Sequence, residues 1–259
     1  MKSKLNSIVS LQDFDLINSL PCGGKAQGLS KLFQGGARVP NGICVIGDAS
    51  KIEVVSAITE WLADNTAKRP EITYAVRSSA MCEDGQQHSF AGMFSTFLNV
   101  KAEKVIETVC RCQLSGENQR AKVYNAIAPT EMTRIAVVIQ EMVFPRAAGV
   151  CFTANPVTKN TQEITIEVAK GLGERLVSGS VTPEYWLIDR FNRIIDMQRG
   201  DDALTGQKIL EFSEVLSLVS EARRLVAKFG YPLDIEFAFG NSELFMLQAR
   251  PITTLSFAV

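Results

Sequence analysis

A chain of 259 residues, 46% hydrophobic and 21% charged, is long enough to bury a sizeable core and too apolar to be a disordered tail. Its formal net charge of −1 provides no basic field, which argues against a nucleic-acid partner. No apolar run reaches the roughly 18 residues that span a bilayer, and Asp13, Asp15 and Asn18 interrupt the N-terminal stretch, so neither a membrane segment nor a secretory leader is expected.

The first predicted element is a short helix in "GGKAQGLSKLFQGG", with Ala26, Leu29 and Leu32 on one side and Gly35–Gly36 ending it. Lys25 stands where a glycine turn meets the helix start, a place whose backbone N–H groups favour an anion; an exposed lysine there would carry no function. "GICVI" (42–46) reads as a strand and Lys51 to Asn65 as an amphipathic helix. "ITYAVRSSA" is a strand that runs into a polar loop. Arg77 at its end can grip phosphate oxygens with a bidentate fork, and the small residues around Gly92 allow backbone to approach a polyphosphate. A surface loop with Arg77 paired to Glu83 or Asp84 would account for the same residues. "STFLNV" is a second strand, followed by a helix from about Ala102 to Cys112.

"RIAVVIQEMV" has no polar alternation, as expected of a strand buried on both faces. Its polar break at Gln140–Val143 suits a purine, with backbone groups for the edge and apolar side chains for the faces; an ordinary core strand is the other reading. "AAGVCFTANP" and "EITIEVAKGLGE" are strand-plus-turn units, and "EYWLIDRFNRIID" is a hairpin turning near Phe191–Arg193. Ser213 to Phe229 has helical spacing, with Ser213 as the expected N-cap and Gly230 past its end. The chain closes with "DIEFAFGNSELFMLQARPIT", a hairpin that carries Asp234, Glu236, Gln248 and Arg250 on one face. A three-residue turn, Gly240 to Ser242, sets Asp234 opposite Gln248 and Glu236 opposite Met246; a two-residue turn shifts this by one. Two carboxylates and an amide oxygen are hard ligands suited to Mg²⁺, and Mg²⁺ brings phosphate for Arg250. An ion pair of Arg250 with one acid would explain two of the four groups. Strands and helices mix without βαβ alternation, so the class expected is α+β with mixed or antiparallel sheets.

Taken in order, these blocks resemble the N-terminal ATP-binding region of the phosphoenolpyruvate synthase, pyruvate phosphate dikinase and rifampicin phosphotransferase family. Besides those quoted they include "VPNGICV", "AVRSSAMCEDGQQHSFAGMFSTFLNV", "AGVCFTANPVT" and "AKGLGERLVSGSVTPEYWLID", and together they cover nearly the whole chain. The resemblance implies a single ATP-grasp-like domain over 1–259, with lobes of roughly 1–143 and 144–259 that clamp ATP and Mg²⁺. By position, Lys25 and Arg77 would hold the phosphates, Gly92 and Thr96 belong to the covering loop, and Gln140, Glu141, Met142 and Val143 would line the adenine pocket. Glu174 lies in the GLGE turn. Asp234, Glu236 and Gln248 would handle the metal and the ribose–phosphate end, with Arg250 on the polyphosphate; Lys25, Arg77 and Arg250 are the expected catalytic groups.

In this family ATP phosphorylates a histidine on a swivelling domain and leaves AMP and phosphate. No such domain and no acceptor domain is recognised here, so a separate phosphohistidine carrier and an acceptor-binding protein are the expected partners. A non-catalytic ATP-binding regulatory module and an enzyme phosphorylating a small acceptor directly are the alternatives. His88, the chain's one histidine, lies in the phosphate-loop block rather than at a carrier position. Ser95 stands where many members have an acid, Lys159–Asn160 replaces a glycine and a basic residue, and the segment between Asp48 and Glu71 is short. The six cysteines include no CxxC pair and are expected to be reduced thiols of a cytoplasmic protein.

Overall fold

The apolar run ending at Gln140–Glu141 lacks any solvent face, and in the structure, a computed structural model, it is buried along its whole length as the middle strand of a five-stranded sheet. Residues 7–80, 95–124, 135–201, 208–240 and 243–255 are described, without the side chains of 116–124 and of residue 177. The chain forms two units, one from residues 1–30 and 40–142 and the other from residues 31–39 and 143–259.

In the first unit the strands are β1 (Ile8–Ser10), β2 (Gly42–Val45), β3 (Thr73–Ser79), β4 (Thr96–Lys101) and β5 (Ala136–Glu141), in the order β1-β2-β5-β3-β4. Every pairing is antiparallel. Cross-strand partners share a face. Ile43, Val45, Tyr74, Val76, Val137 and Ile139 line one face and pack with Val54, Ile58 and Leu62 of α3 (Ile52–Lys68) and Val105 and Val109 of α4 (Val105–Tyr124). The opposite face carries Cys44, Arg77, Val138 and Gln140 in register. α1 (Phe14–Ser19), capped by Asp13 Oδ1 on the Leu16 N–H, precedes α2 (Gly23–Gln34). β1 and α1 are additions to the sequence reading, and α4 runs well beyond the expected end at Cys112.

The second unit is a six-stranded antiparallel sheet, β11-β10-β6-β7-β8-β9, made of β6 (Ala147–Phe152), β7 (Glu163–Lys170), β8 (Glu184–Asp189), β9 (Ile194–Gln198), β10 (Leu233–Gly240) and β11 (Glu243–Pro251). Ile235, Cys151, Ile166 and Trp186 form a transverse row of fully buried side chains. α6 (Phe212–Phe229) lies against β10 and buries Val215, Leu218, Val219, Ala222 and Leu225. Its N-cap is Glu211 rather than Ser213: the Glu211 carboxylate accepts the N–H of Glu214, whose own carboxylate accepts the Glu211 N–H. Gly230 closes the helix at φ 82°. α5 (Glu174–Val177) is a single turn.

The fold is therefore α+β with two antiparallel sheets, as expected. Among the described residues no helix is long and apolar enough to cross a membrane, and Cys22, Cys44, Cys110, Cys112 and Cys151 are free thiols.

Candidate functional site

In the first unit the lysine turn and the arginine strand meet. α2 begins against the end of β3: the Gly24 N–H donates to the Ala80 carbonyl at 3.0 Å and the Ala26 N–H to Ser79 Oγ at 3.2 Å. Gly23, at φ +79°, makes this approach possible, because a Cβ there would lie 2.2 Å from the Ser79 carbonyl oxygen. Two of the N–H groups at the helix start are thus spent on the strand. This corrects the expectation of a backbone anion cradle and leaves the half-buried Lys25 side chain as the cationic group. Arg77, on β3, is 8% exposed and stands across from Thr96 on β4, which is exposed, and from Val138 on β5. Gly92, His88, Glu83 and Asp84 lie outside the described residues. Ser95 Oγ donates to Ser115 Oγ at 2.8 Å, and its carbonyl accepts the Ser78 N–H at 3.1 Å.

The Gln140–Val143 stretch is divided by the pleat. Gln140 shares the face of Arg77, and its Nε2 donates to the Pro40 carbonyl at 3.3 Å. Glu141 points to the opposite face, beside Tyr74, where Arg69 holds its Oε2 at 2.5 Å and Asn41 Nδ2 donates to Oε1 at 3.3 Å. The N–H groups of Glu141 and Met142 donate to the carbonyls of Asn41 and Thr73, both at 2.9 Å. The expectation of free backbone donors therefore fails at these two residues, since the strand continues to pair through the polar break. Met142 and Val143 are half-buried.

In the second unit the hairpin has the two-residue turn. Gly240 faces Glu243, and a bulge after Glu236 sets Phe237 across from Met246, Glu236 across from Gln248 and Asp234 across from Arg250. The expected pairing of Asp234 with Gln248 and of Glu236 with Met246 is corrected accordingly. Arg250 Nε donates to Asp234 Oδ2 at 2.8 Å. Asp234 and Gln248 are buried, Glu236 is half-buried and Arg250 is exposed. The Asp234 charge, after burial itself, helps push the Cys151 thiol up. Glu174 opens α5 and is exposed.

A residue absent from the sequence reading shares this face. The register runs Gln248–Glu236–Val150–Glu167–Tyr185 across five strands, which places Glu167 on the same side as Glu236. The alternation of Glu163, Thr165 and Glu167 in "EITIEVAK" was the available signal. The turn before β7 is closed on itself: Asn155 Oδ1 accepts the Val157 and Thr158 N–H groups, while the Glu163 carboxylate accepts from Asn155 and Asn160 Nδ2, each at 2.8 Å. Lys159 sits there at φ 60°.

A hard-ligand pair, Glu236 with Gln248, and a separate lysine–arginine end are groups that phosphate and its counter-ion would use. Among the described residues no three of His, Cys, Asp and Glu gather into a metal cluster, so a resident metal would depend on Gln248 and on ligands brought with it.

A family model described as pyruvate phosphate dikinase, AMP/ATP-binding domain, matches residues 48–258, and the chain belongs to that family. It is 36% identical to a probable phosphoenolpyruvate synthase of Methanocaldococcus jannaschii over 208 residues, which is 71% of this chain and 18% of that protein. It is 32% identical to a rifampicin phosphotransferase of a Streptomyces species over 96% of this chain and 36% of that protein. The chain thus spans about a fifth to about a third of these relatives' length. A crystal structure of PH1788 from Pyrococcus horikoshii Ot3 has a similar fold, with a TM-score of 0.50, 12% identity, and coverage of 93% of this chain and 94% of that one.

Proposed function

We propose that this chain is the Mg·ATP-binding, phosphoryl-donating part of a dikinase-type phosphotransferase, ATP-grasp-like in its use of the nucleotide. ATP is cleaved to AMP and phosphate, and the phosphoryl group passes to a histidine outside residues 1–259, on a separate carrier polypeptide that serves an acceptor-binding protein. Lys25 and Arg77 neutralise the phosphates, with Thr96 across from Arg77 on β4 rather than in a covering loop, and Gly92 kept as a covering residue on the family resemblance alone. Gln140, Met142 and Val143 meet the base, and Glu141 holds that strand end through Arg69 and Asn41. Glu236 and Gln248 hold Mg²⁺, which when bound draws charge from the phosphate oxygens. Asp234 orients Arg250, whose five N–H donors allow a phosphate to be gripped beside the Asp234 bond. Glu174 stays with the glycine turn. The catalysis in this reading is positioning and charge neutralisation.

The observation that most supports it is the direct cross-strand pairing of Glu236 with Gln248, next to the Asp234–Arg250 pair, in a chain of an ATP-binding family. Arg77→Ala and Glu236→Ala are expected to abolish ATP consumption in the presence of a histidine-bearing carrier while leaving the circular dichroism and melting temperature unchanged. Unchanged consumption in both variants would defeat the assignment.

One observation favours a second reading, a non-catalytic ATP-binding regulatory module. Asn160, where the resembling family has a basic residue, is spent on Glu163 within its own turn. Calorimetry that shows ATP affinity with no AMP formed, whichever carrier is supplied, would support that reading.

A further inference from the structure

Two thiols that the proposed chemistry does not use meet beside the lysine turn. Cys22 stands immediately before Gly23–Gly24–Lys25, and Cys44 lies on β2. Cys44 Sγ donates to the Cys22 carbonyl at 3.6 Å, and its thiol is also within hydrogen-bonding reach of the Cys22 sulfur. Both side chains are completely buried. Cys22 nevertheless lies close to the surface along the chain: Pro21 before it is exposed, and Gly24 and Lys25 after it are half-buried. A local opening of that turn is enough to admit a molecule as small as hydrogen peroxide. The thiol pair holds one end of the segment that carries Lys25. The other end is pinned to β3, through the Gly24 N–H on Ala80 and the Ala26 N–H on Ser79. Cys44 faces Val138, which faces Arg77, so Cys44 and Arg77 share a face of the sheet. A pull on Cys22 toward β2 is therefore taken up in a two-glycine turn whose far side is fixed, and Lys25 turns with it.

We infer that Cys22 and Cys44 form a reversible disulfide, made by a peroxide, that lowers the affinity of this chain for ATP. The inference rests on the proposed role of Lys25 at the phosphates. The Cys22 thiolate attacks one peroxide oxygen, the O–O bond breaks, and Cys22 becomes a sulfenic acid as hydroxide leaves and takes up the Cys22 proton. The Cys44 sulfur then displaces the sulfenic oxygen to form the S–S bond, and its proton leaves with that hydroxyl as water. Two thiols have lost two electrons and two protons, and one peroxide has become two waters. The order of events follows from the pair itself. The Cys44 hydrogen bond holds the Cys22 thiol below the ordinary thiol range although burial opposes it, whereas Cys44 is pushed up by the same bond and by burial. Hydrogen-bonded sulfurs stand farther apart than the about 2 Å of an S–S bond, so closing the bond draws Cys22 toward β2. The Gly24 and Ala26 bonds to β3 resist, the turn between them yields, and Lys25 is carried away from the phosphates.

The test treats the intact chain with hydrogen peroxide and maps its cross-links by peptide mass spectrometry. ATP binding is measured by calorimetry before oxidation, after it, and after reduction with dithiothreitol. A Cys22–Cys44 cross-link is expected, with ATP binding weaker by about tenfold, the size of one lost charge-assisted contact, and full recovery on reduction. Cys44→Ala and, independently, Cys22→Ser should bind ATP as the wild type does and keep that affinity after peroxide. Absence of the cross-link, or a cross-linked chain that binds ATP as tightly as the reduced one, would overturn the inference and leave the reading of the site standing. A loss of affinity that either variant shares, or that dithiothreitol does not reverse, would overturn it in favour of oxidation elsewhere. A reduced wild-type chain that binds no ATP would overturn both.

Discussion

At the scale of single residues, two side chains sit where their chemistry is poorly served. Lys159 has φ 60°, a left-handed conformation that costs an L-residue with a Cβ roughly 1–2 kcal/mol. Glycine adopts this conformation without the Cβ penalty. Lys159→Gly is expected to raise stability by about 0.5–1 kcal/mol, since glycine's extra chain entropy cancels part of the relief; an unchanged or lower melting temperature would contradict this. The Tyr74 hydroxyl is fully buried, beneath Trp61 at 5.5 Å between ring centroids, with no hydrogen-bond partner among the described residues. Burial first and the Glu141 charge second push its phenol up to about 12, against an ordinary value of 10.0. The folded phenol stays protonated where the unfolded one has ionised. The stability tied to it is therefore complete below pH 10 and is lost as pH rises toward about 12. Tyr74→Phe removes an unsatisfied hydroxyl, so it is expected to be neutral or stabilising by about 1 kcal/mol and to flatten that alkaline decline in thermal unfolding scans.

At the scale of elements, Glu184 at the start of β8 is completely buried, yet its carboxylate accepts three N–H groups: Trp186 Nε1 at 2.9 Å, Ile209 at 2.8 Å and Leu210 at 3.1 Å. It ties the approach to α6 onto the sheet. Glu184→Gln turns an amide NH₂ toward those donors and should cost about 1–3 kcal/mol in denaturant unfolding; a loss below a few tenths would show that the clamp is unimportant. Most elements were legible in the sequence because their apolar periods are clean: "AVVIQE" without alternation, "DIEFAFG" with it, and the helical spacing of Val215 to Val226. The hairpin register was not. Counting back from an assumed three-residue turn cannot reveal a bulge, and one extra residue on β11 is what pairs Glu236 with Gln248. The helix start at Gly23–Lys25 was legible as a turn. That two of its N–H groups would be taken by Ser79 and Ala80 was not, because those partners are more than fifty residues away in the chain. Glu167 escaped for a related reason: its alternation was visible, but only the order of strands shows which residues share its face.

At the scale of the whole chain, each of the two units carries its own set of charged and polar groups. The first offers Lys25 beside the strand of Arg77, and the second offers Glu236, Gln248 and Arg250 on one hairpin face. Membership in an AMP/ATP-binding family supports a nucleotide as the ligand, while the assignment of these groups to it and the fate of the phosphoryl group both rest on the proposal. The most direct test is a product analysis. The chain is incubated with ATP, Mg²⁺ and a histidine-bearing carrier, and AMP, ADP and phosphate are separated and quantified. AMP and phosphate are expected in step with carrier phosphorylation, with none formed by Glu236→Ala. ADP as the nucleotide product, or equal AMP formation by Glu236→Ala, would contradict it.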